Sequence, residues 1–229
     1  MKSENIMMFN HVQMEHKLPE LKAVTTKNGR VYVTPEGRKY PSITTILGEL
    51  SKESINAWRR KVGAEEANRI STQSSVRGTA VHQLAEDYLN NKPDWDKGAM
   101  PVNLMSFRDI KQILDERVNN IWQQEVPLYS DKLEIAGRVD CIAEFDGVLT
   151  IIDFKTARKP KKKEWIQNYF MQGSFYGAAF FEQTGVPIKQ TAIIISVDGN
   201  EPQVFVEPTF DYLKPLLECR KSYKQRYNF

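Results

Sequence analysis

Two runs of strand-forming residues, Leu133 to Phe145 and Val148 to Phe154, are separated by Asp146-Gly147 alone. That spacing constrains the chain more than any other feature. Asp-Gly tolerates two consecutive positive φ angles, which a two-residue hairpin turn requires. Counting outward from the turn, Phe145 faces Val148, Ala143 faces Thr150 and Asp140 faces Asp153. The pleat puts Lys155 on the face of Asp153, opposite Arg138. Carboxylates opposed at roughly 5 Å repel one another unless positive charge lies between them, and a divalent cation is the obvious candidate. The ordinary alternative is that Arg138 and Lys155 each satisfy one aspartate on a half-exposed strand face. Against it, Ile142, Leu149 and Ile151 share the aspartates' face, while Val139, Cys141, Val148, Ile152 and Phe154 make the other face apolar. A central strand pair charged only at one end reads as a site.

The rest of the chain reads as α/β. Residues 1–23 show no clean period and are expected to form a loosely held arm, followed by one domain over 24–229. Within it, 24–75 reads as an elaboration on a core of 76–229. Asn28-Gly29 and Thr34-Pro35-Glu36-Gly37 mark small hairpins. Ser42 is a candidate N-cap for a helix bearing Ile43, Ile46, Leu47 and Leu50. A second helix is expected from Ser51 to about Ser71, a third from Val76 to Asn90 and a fourth through Phe107, Ile110, Leu114, Val118 and Ile121. Strands follow over Trp122 to Tyr129 and through the hairpin. A long helix from about Glu164 to Gln183 then serves as crossover to a strand at Thr191 to Val197. A short strand at Val204 to Val206 and a last helix capped by Thr209 complete the chain. The expected architecture is a central mixed sheet flanked by helices, in which the meander supplies the antiparallel part.

At 229 residues with 41% hydrophobic content the chain can bury one substantial core. Its net charge of +3 is compatible with a polyanionic partner without demanding one. Cys141 and Cys219 are the only cysteines, too few for a disulfide framework or a four-cysteine metal cluster. The first residues, Met1 to Ile6, lack a signal-peptide core, and no apolar run approaches the roughly 20 residues of a membrane span. A soluble intracellular protein is expected.

Outside the hairpin, His82 lies on the shoulder of its helix's apolar stripe, expected to be in the first turns after Arg77-Gly78-Thr79-Ala80. Alone it reads as a satisfied structural histidine. Glu86, one turn on, is a supporting carboxylate or merely solvated. Gln172 and Tyr176 are one helical turn apart, in a row with Trp165 and Tyr169. Packing on the sheet and contact with phosphate or a base are equally open for these two. The basic run Arg158 to Lys163 leaves the hairpin directly after Lys155. It is either a solvated loop or a flexible segment that attracts a phosphate backbone. Glu125, on the preceding strand, is a further acidic candidate, with a solvent-facing position the simpler reading.

With these residues in hand, the sequence resembles the PD-(D/E)XK nuclease superfamily in its RecB-like exonuclease branch. Pro41-Ser42-Ile43-Thr44-Thr45-Ile46-Leu47, Arg77-Gly78-Thr79-Ala80-Val81-His82, Gly137-Arg138-Val139-Asp140, Asp153-Phe154-Lys155 and Gln172 to Tyr176 are similar to its motifs, in order. Each is weak alone; their order is specific. The resemblance implies a restriction-endonuclease-like core with an N-terminal hairpin and helical elaboration. It also implies that His82, Asp140, Asp153 and the Phe154 carbonyl bind Mg²⁺ or Mn²⁺, that Lys155 acts with Asp140 and Asp153 in catalysis, and that Arg77, Gln172 and Tyr176, with Lys161 and Lys162 of the basic run, contact DNA. The activity implied is a metal-dependent DNA exonuclease working from single-stranded ends in replication, recombination or repair. A flap endonuclease and a non-catalytic DNA-binding accessory protein are the alternatives. The cysteines of the iron–sulfur members are missing, so no cluster is expected. The cytoplasm of a bacterial or phage-infected cell is favoured over the mitochondrial matrix.

Overall fold

The computed structural model describes residues 8–15 and 17–229. A three-stranded antiparallel sheet opens it, formed by β1 (Lys22–Thr26), β2 (Gly29–Val33) and β3 (Lys39–Pro41). Two long helices follow, α1 (Ile43–Val62) and α2 (Ala64–Leu89), then α3 (Pro101–Arg117). The strands β4 (Val118–Ser130), β5 (Ile135–Phe145) and β6 (Val148–Ala157) form a meander, and α4 (Gln167–Thr184) crosses over to β7 (Gln190–Val197). β8 (Gln203–Pro208) and α5 (Leu213–Tyr227) end the chain. The main sheet has the order β4-β5-β6-β7-β8, parallel only between β6 and β7. This is the mixed sheet with a helical crossover that the patterning implied.

β6 lies at the centre of this sheet, and residues Thr150 to Phe154 are all buried. One face of the sheet packs on α2 and α3 through Val81, Leu84, Phe107, Ile110, Cys141 and Ile152. The other packs on α1, α4 and α5 through Ile43, Ile142, Ile151, Met171, Phe175 and Leu216. Each such buried aliphatic or aromatic side chain contributes about 1.5–3 kcal/mol. A strand buried on both faces is a costly place for charge, which makes the carboxylate at its end informative.

The turn forms as its residues dictate. Asp146 has φ 52° and Gly147 φ 74°, the double left-handed conformation of a tight hairpin. The register follows the count from Phe145↔Val148 through Cys141↔Ile152 and stops there. Asp140 and Asp153 therefore do not form the expected ladder pair: the Asp140 side chain takes the amide N–H of Phe154 at 2.9 Å. Nor does Arg138 face Lys155, because the ladder with β6 has already ended, and its guanidinium donates to the Glu125 carbonyl on β4.

Several boundaries differ from expectation. Ser42 caps α1 through its hydroxyl, which accepts from the Thr45 N–H at 3.0 Å, but α1 runs unbroken past Ser51 to Gly63, where φ is 89°. Leu50, assigned to its apolar face, is 55% exposed. α2 begins at Ala64, so His82 sits deep in a long helix rather than in its first turns. The expected fourth helix ends at Arg117, and Val118 and Ile121 belong to β4. Thr209 is buried rather than capping, and the last helix starts at Leu213.

The described part of the N-terminal arm is docked, not loose. Phe9 is buried against Tyr88, Asn91 binds its backbone through both amide atoms, and Ile121 exchanges hydrogen bonds of 2.7 Å with Asn10 and Val12. The arm thereby covers part of the edge strand β4. Residues 1–7 and 16 of that arm lie outside the described residues.

Candidate active site

The site is built where the ladder between β5 and β6 gives out, and β4 is distorted at the same level. Gln124↔Cys141 and Val126↔Val139 pair in register, but Glu125 between them has φ 47°, a left-handed conformation that a non-glycine residue adopts only when its surroundings impose it. His82 of α2 comes over the sheet at this point. Ligand atoms of His82, Glu125 and Asp140 lie within 4.8 Å of one another. His82 Nε2 is 2.8 Å from the Phe154 carbonyl oxygen, and Nδ1 is 3.5 Å from Asp140 Oδ1.

Two of the recognised motifs interlock here. Arg138 pairs with Pro127, which has no N–H to donate, and its carbonyl accepts from the Tyr176 hydroxyl at 2.5 Å. The Tyr176 ring reaches this position because residue 137 is glycine. A Cβ there would stand 2.9 Å from both Tyr176 Cε1 and Ile43 Cγ2. Gln172 Nε2 in turn lies 3.3 Å from the Tyr176 hydroxyl. Tyr176 thus spends its hydroxyl holding β5 in place, and Gln172 stands nearer the open space.

Asp153 is 2% exposed, its Oδ1 has no polar partner and its Oδ2 meets only a lysine. Its near neighbour is the Lys155 ammonium, an ion pair on the strand face that the sequence implied. Burial raises the Asp153 carboxyl to about 6 despite that lysine. Burial also raises Glu125, with help from the Asp140 charge, to about 7. For His82, burial is the largest influence and works downward, but the charge of Asp140, the contact with its carboxylate and the charge of Asp153 together outweigh it, lifting the imidazole to about 9. Asp140 is buried too, yet His82, Lys155 and the Phe154 N–H hold it below the usual carboxylate range. Lys155 is pulled down by burial and up, more strongly, by Asp153 and Asp140, so it stays charged.

This donor set fits a hard divalent cation. It offers carboxylates, one imidazole and a backbone carbonyl, the oxygen-rich mixture of Mg²⁺ or Mn²⁺ sites. Asp153 Oδ1, buried with no polar partner while Oδ2 meets the Lys155 ammonium, is a costly arrangement that a further cation would relieve. Glu125, which the sequence left as a solvent-facing candidate, is one of the three clustered ligands. Asp153 is not one of those three.

A cavity of about 610 Å³ opens in front of these groups. His82, Glu125, Asp140 and Lys155 form one wall, with Tyr169, Gln172 and Tyr176 beside them. Arg30 of β2, Ser42 at the N-cap of α1 and Thr44 and Ser51 within it also line the cavity, so the N-terminal elements complete the cleft. Glu86 lines it as well. Arg77, Lys161 and Lys162 do not line this cavity. Arg77 binds Ser106 Oγ at 2.7 Å and pairs with Asp198, tying α2 to α3 and to the turn after β7. The basic run is not free along its length: Gln203 of β8 clasps the Lys161 backbone with bonds of 2.6 and 2.9 Å.

A mixed sheet carrying acidic residues and a lysine at the open end of a central hairpin, with a histidine from a neighbouring helix, defines a nuclease-type site. Residues 105–215 match the PD-(D/E)XK nuclease superfamily, and the chain carries a nuclease domain of that superfamily. His82 lies outside the matched segment and reaches the site through the packing of α2. Among curated relatives, mitochondrial genome maintenance exonuclease 1 of Mus musculus is 25% identical over 53% of this chain, and that of Homo sapiens 26% over 57%. The matches cover 38% and 40% of those two proteins. An ATP-dependent helicase/nuclease subunit of Thermoanaerobacter sp. (strain X514) is 26% identical over 62% of this chain and 11% of its own length. The chain thus spans about two fifths of the exonucleases it matches.

Proposed function

We propose that the protein is a Mg²⁺- or Mn²⁺-dependent DNA exonuclease that hydrolyses phosphodiester bonds from single-stranded ends, in DNA replication, recombination or repair. The observation that carries this reading is the buried Asp153, its oxygens unanswered except by Lys155, beside the cluster of His82, Glu125 and Asp140 at the floor of an open cleft.

His82, Asp140, Glu125, Asp153 and the Phe154 carbonyl would hold the cation, which supplies Lewis-acid activation of the scissile phosphate and of water. The chain's own residues do the rest. Tyr176 and Gly137 fix the β5 backbone so that Asp140 stays within reach of His82. Lys155, kept charged by Asp153 and Asp140, is suited to orient the attacking water and to stabilise negative charge gathering on the phosphoryl oxygens. Gln172 and Asn168 stand at the cleft where they can donate to substrate oxygens. The cytoplasm of a bacterial or phage-infected cell is the proposed setting.

End-labelled linear single-stranded DNA and a circular single strand, each incubated with Mg²⁺, test this directly. The linear substrate is degraded to short products and the circle survives. Asp140→Ala and Lys155→Ala each slow release about 10²–10³-fold or more. Native rates in both variants would contradict the assignment. Cleavage of the circle would favour an endonuclease, and salt-sensitive binding without nucleotide release would favour an accessory protein.

A further inference from the structure

Lys155 is not only beside the carboxylates. Its ammonium lies 5.0 Å from the centre of the Tyr169 ring, which lines the cleft. Tyr169 belongs to the row on α4 in which Gln172 and Tyr176 also line the cleft. Trp165, in the short 3-10 turn Lys163–Trp165, lies just ahead of α4 and four residues before Tyr169 in the sequence. It is 62% exposed, an unusual position for the largest apolar side chain. Its ring carries the Lys162 ammonium at 5.3 Å.

The charges around it are sorted. Lys163 pairs with Glu207, whereas Arg158, Lys159, Lys161 and Lys162 have no ion-pair partner among the described residues, with only the exposed Glu164 opposing them in the same loop. The Gln203 clasp on the Lys161 backbone holds this loop against β8, so little ordering is needed when something binds there. An exposed indole within a held basic loop, four residues before the cleft-lining Tyr169, combines a stacking face with phosphate-attracting charge. These are the two elements of a single-strand binding platform.

We propose that Trp165 is a base-stacking anchor: one nucleobase of a single-stranded nucleic acid lies on its indole while Lys162 and the neighbouring cations meet the adjoining phosphates. The proposal rests on the nuclease reading and sharpens it, because a base within a duplex has no free face to offer. It selects single strands over duplexes and sets the register of the strand relative to Lys155.

Fluorescence anisotropy with a labelled oligothymidylate, Ca²⁺ replacing Mg²⁺, measures the contact without turnover. Stacking on an aromatic ring is worth about 5- to 150-fold in affinity per base. Trp165→Ala weakens single-strand binding about tenfold or more, Trp165→Phe retains most of it, and duplex binding changes less. A series of oligonucleotides each carrying one abasic site separates stacking from folding. In the wild-type protein one position loses affinity by the same factor, and in Trp165→Ala that position becomes indifferent. Unchanged affinity in Trp165→Ala, or an abasic profile identical in the two proteins, overturns the proposal while leaving the nuclease reading intact. A wild-type protein that binds no oligonucleotide removes both.

Discussion

The β5–β6 hairpin has two ends with opposite properties. At the turn, Phe145↔Val148 through Cys141↔Ile152 pair in register, Phe145, Cys141 and Ile152 are fully buried, and Arg117 covers Asp146. At the open end, Asp140 takes a backbone N–H in place of a ladder partner, Asp153 is buried with no partner but Lys155, and Glu125 on β4 adopts a left-handed conformation. The same pair of strands contributes stability at one end and gives it up at the other. Proteins retain such local costs where a ligand or a reaction recovers them.

Substitutions at the two ends separate the contributions. The largest effect on stability belongs to the turn end: Phe145→Ala costs about 3–5 kcal/mol in urea unfolding, since it removes a fully buried ring. The molecules that remain folded keep their response to Mn²⁺. A loss below about 1 kcal/mol, far under the range for a buried ring, would mean the paired end is not the anchor. Smaller is Gly137→Ala, at the boundary between the ends, where the added Cβ meets Tyr176 and Ile43 at 2.9 Å. Displacing those two side chains costs about 1–3 kcal/mol by the same assay. Unlike Phe145→Ala it also weakens Mn²⁺ binding, because it moves the strand that carries Asp140. If its Mn²⁺ affinity is native, the interlock between Gly137 and Tyr176 does not position the site.

The sequence made the turn end fully legible and the open end only in part. Asp146-Gly147 encodes the register, and strict alternation carries it to Cys141 and Ile152. Beyond them a side chain replaces a backbone partner, which no hydrophobic period records. Glu125 escaped assignment for the same reason: its conformation is imposed by the distortion of β4, while its residue type reads as an ordinary edge glutamate. Val118 and Ile121 stand three apart, a helical spacing, and both face the core in β4 only because the strand is irregular between Asn119 and Ile121, so the change of element at Arg117 was hidden. The charged stretch between Ser51 and Gly63 lacks a clear breaker, and α1 continues through it. Tyr176 was legible as part of a motif but not in its task, because that task follows from Pro127 having no N–H for Arg138.

The central claim, that the open end of the hairpin is a cation site, is tested most directly by thermal unfolding with and without Mn²⁺ in the wild-type protein and in Asp153→Asn. At about 100 times its Kd a ligand stabilises by about 2.7 kcal/mol, which for a chain of this size raises Tm by about 5–10 °C. The wild-type protein shows that rise at about pH 7.5, above the range in which the site's carboxylates titrate. Asp153 and Glu125 have folded-state values raised to about 6 and about 7, so without a cation each takes stability away as pH climbs through that range. The gain from Mn²⁺ accordingly shrinks as pH falls from about 9, where the His82 imidazole takes up its proton, and fades below about 6, where both carboxyls are protonated as well. Asp153→Asn loses most of the rise under the same mildly alkaline conditions. A wild-type Tm indifferent to Mn²⁺ and Mg²⁺, or an equal rise in Asp153→Asn, contradicts the account.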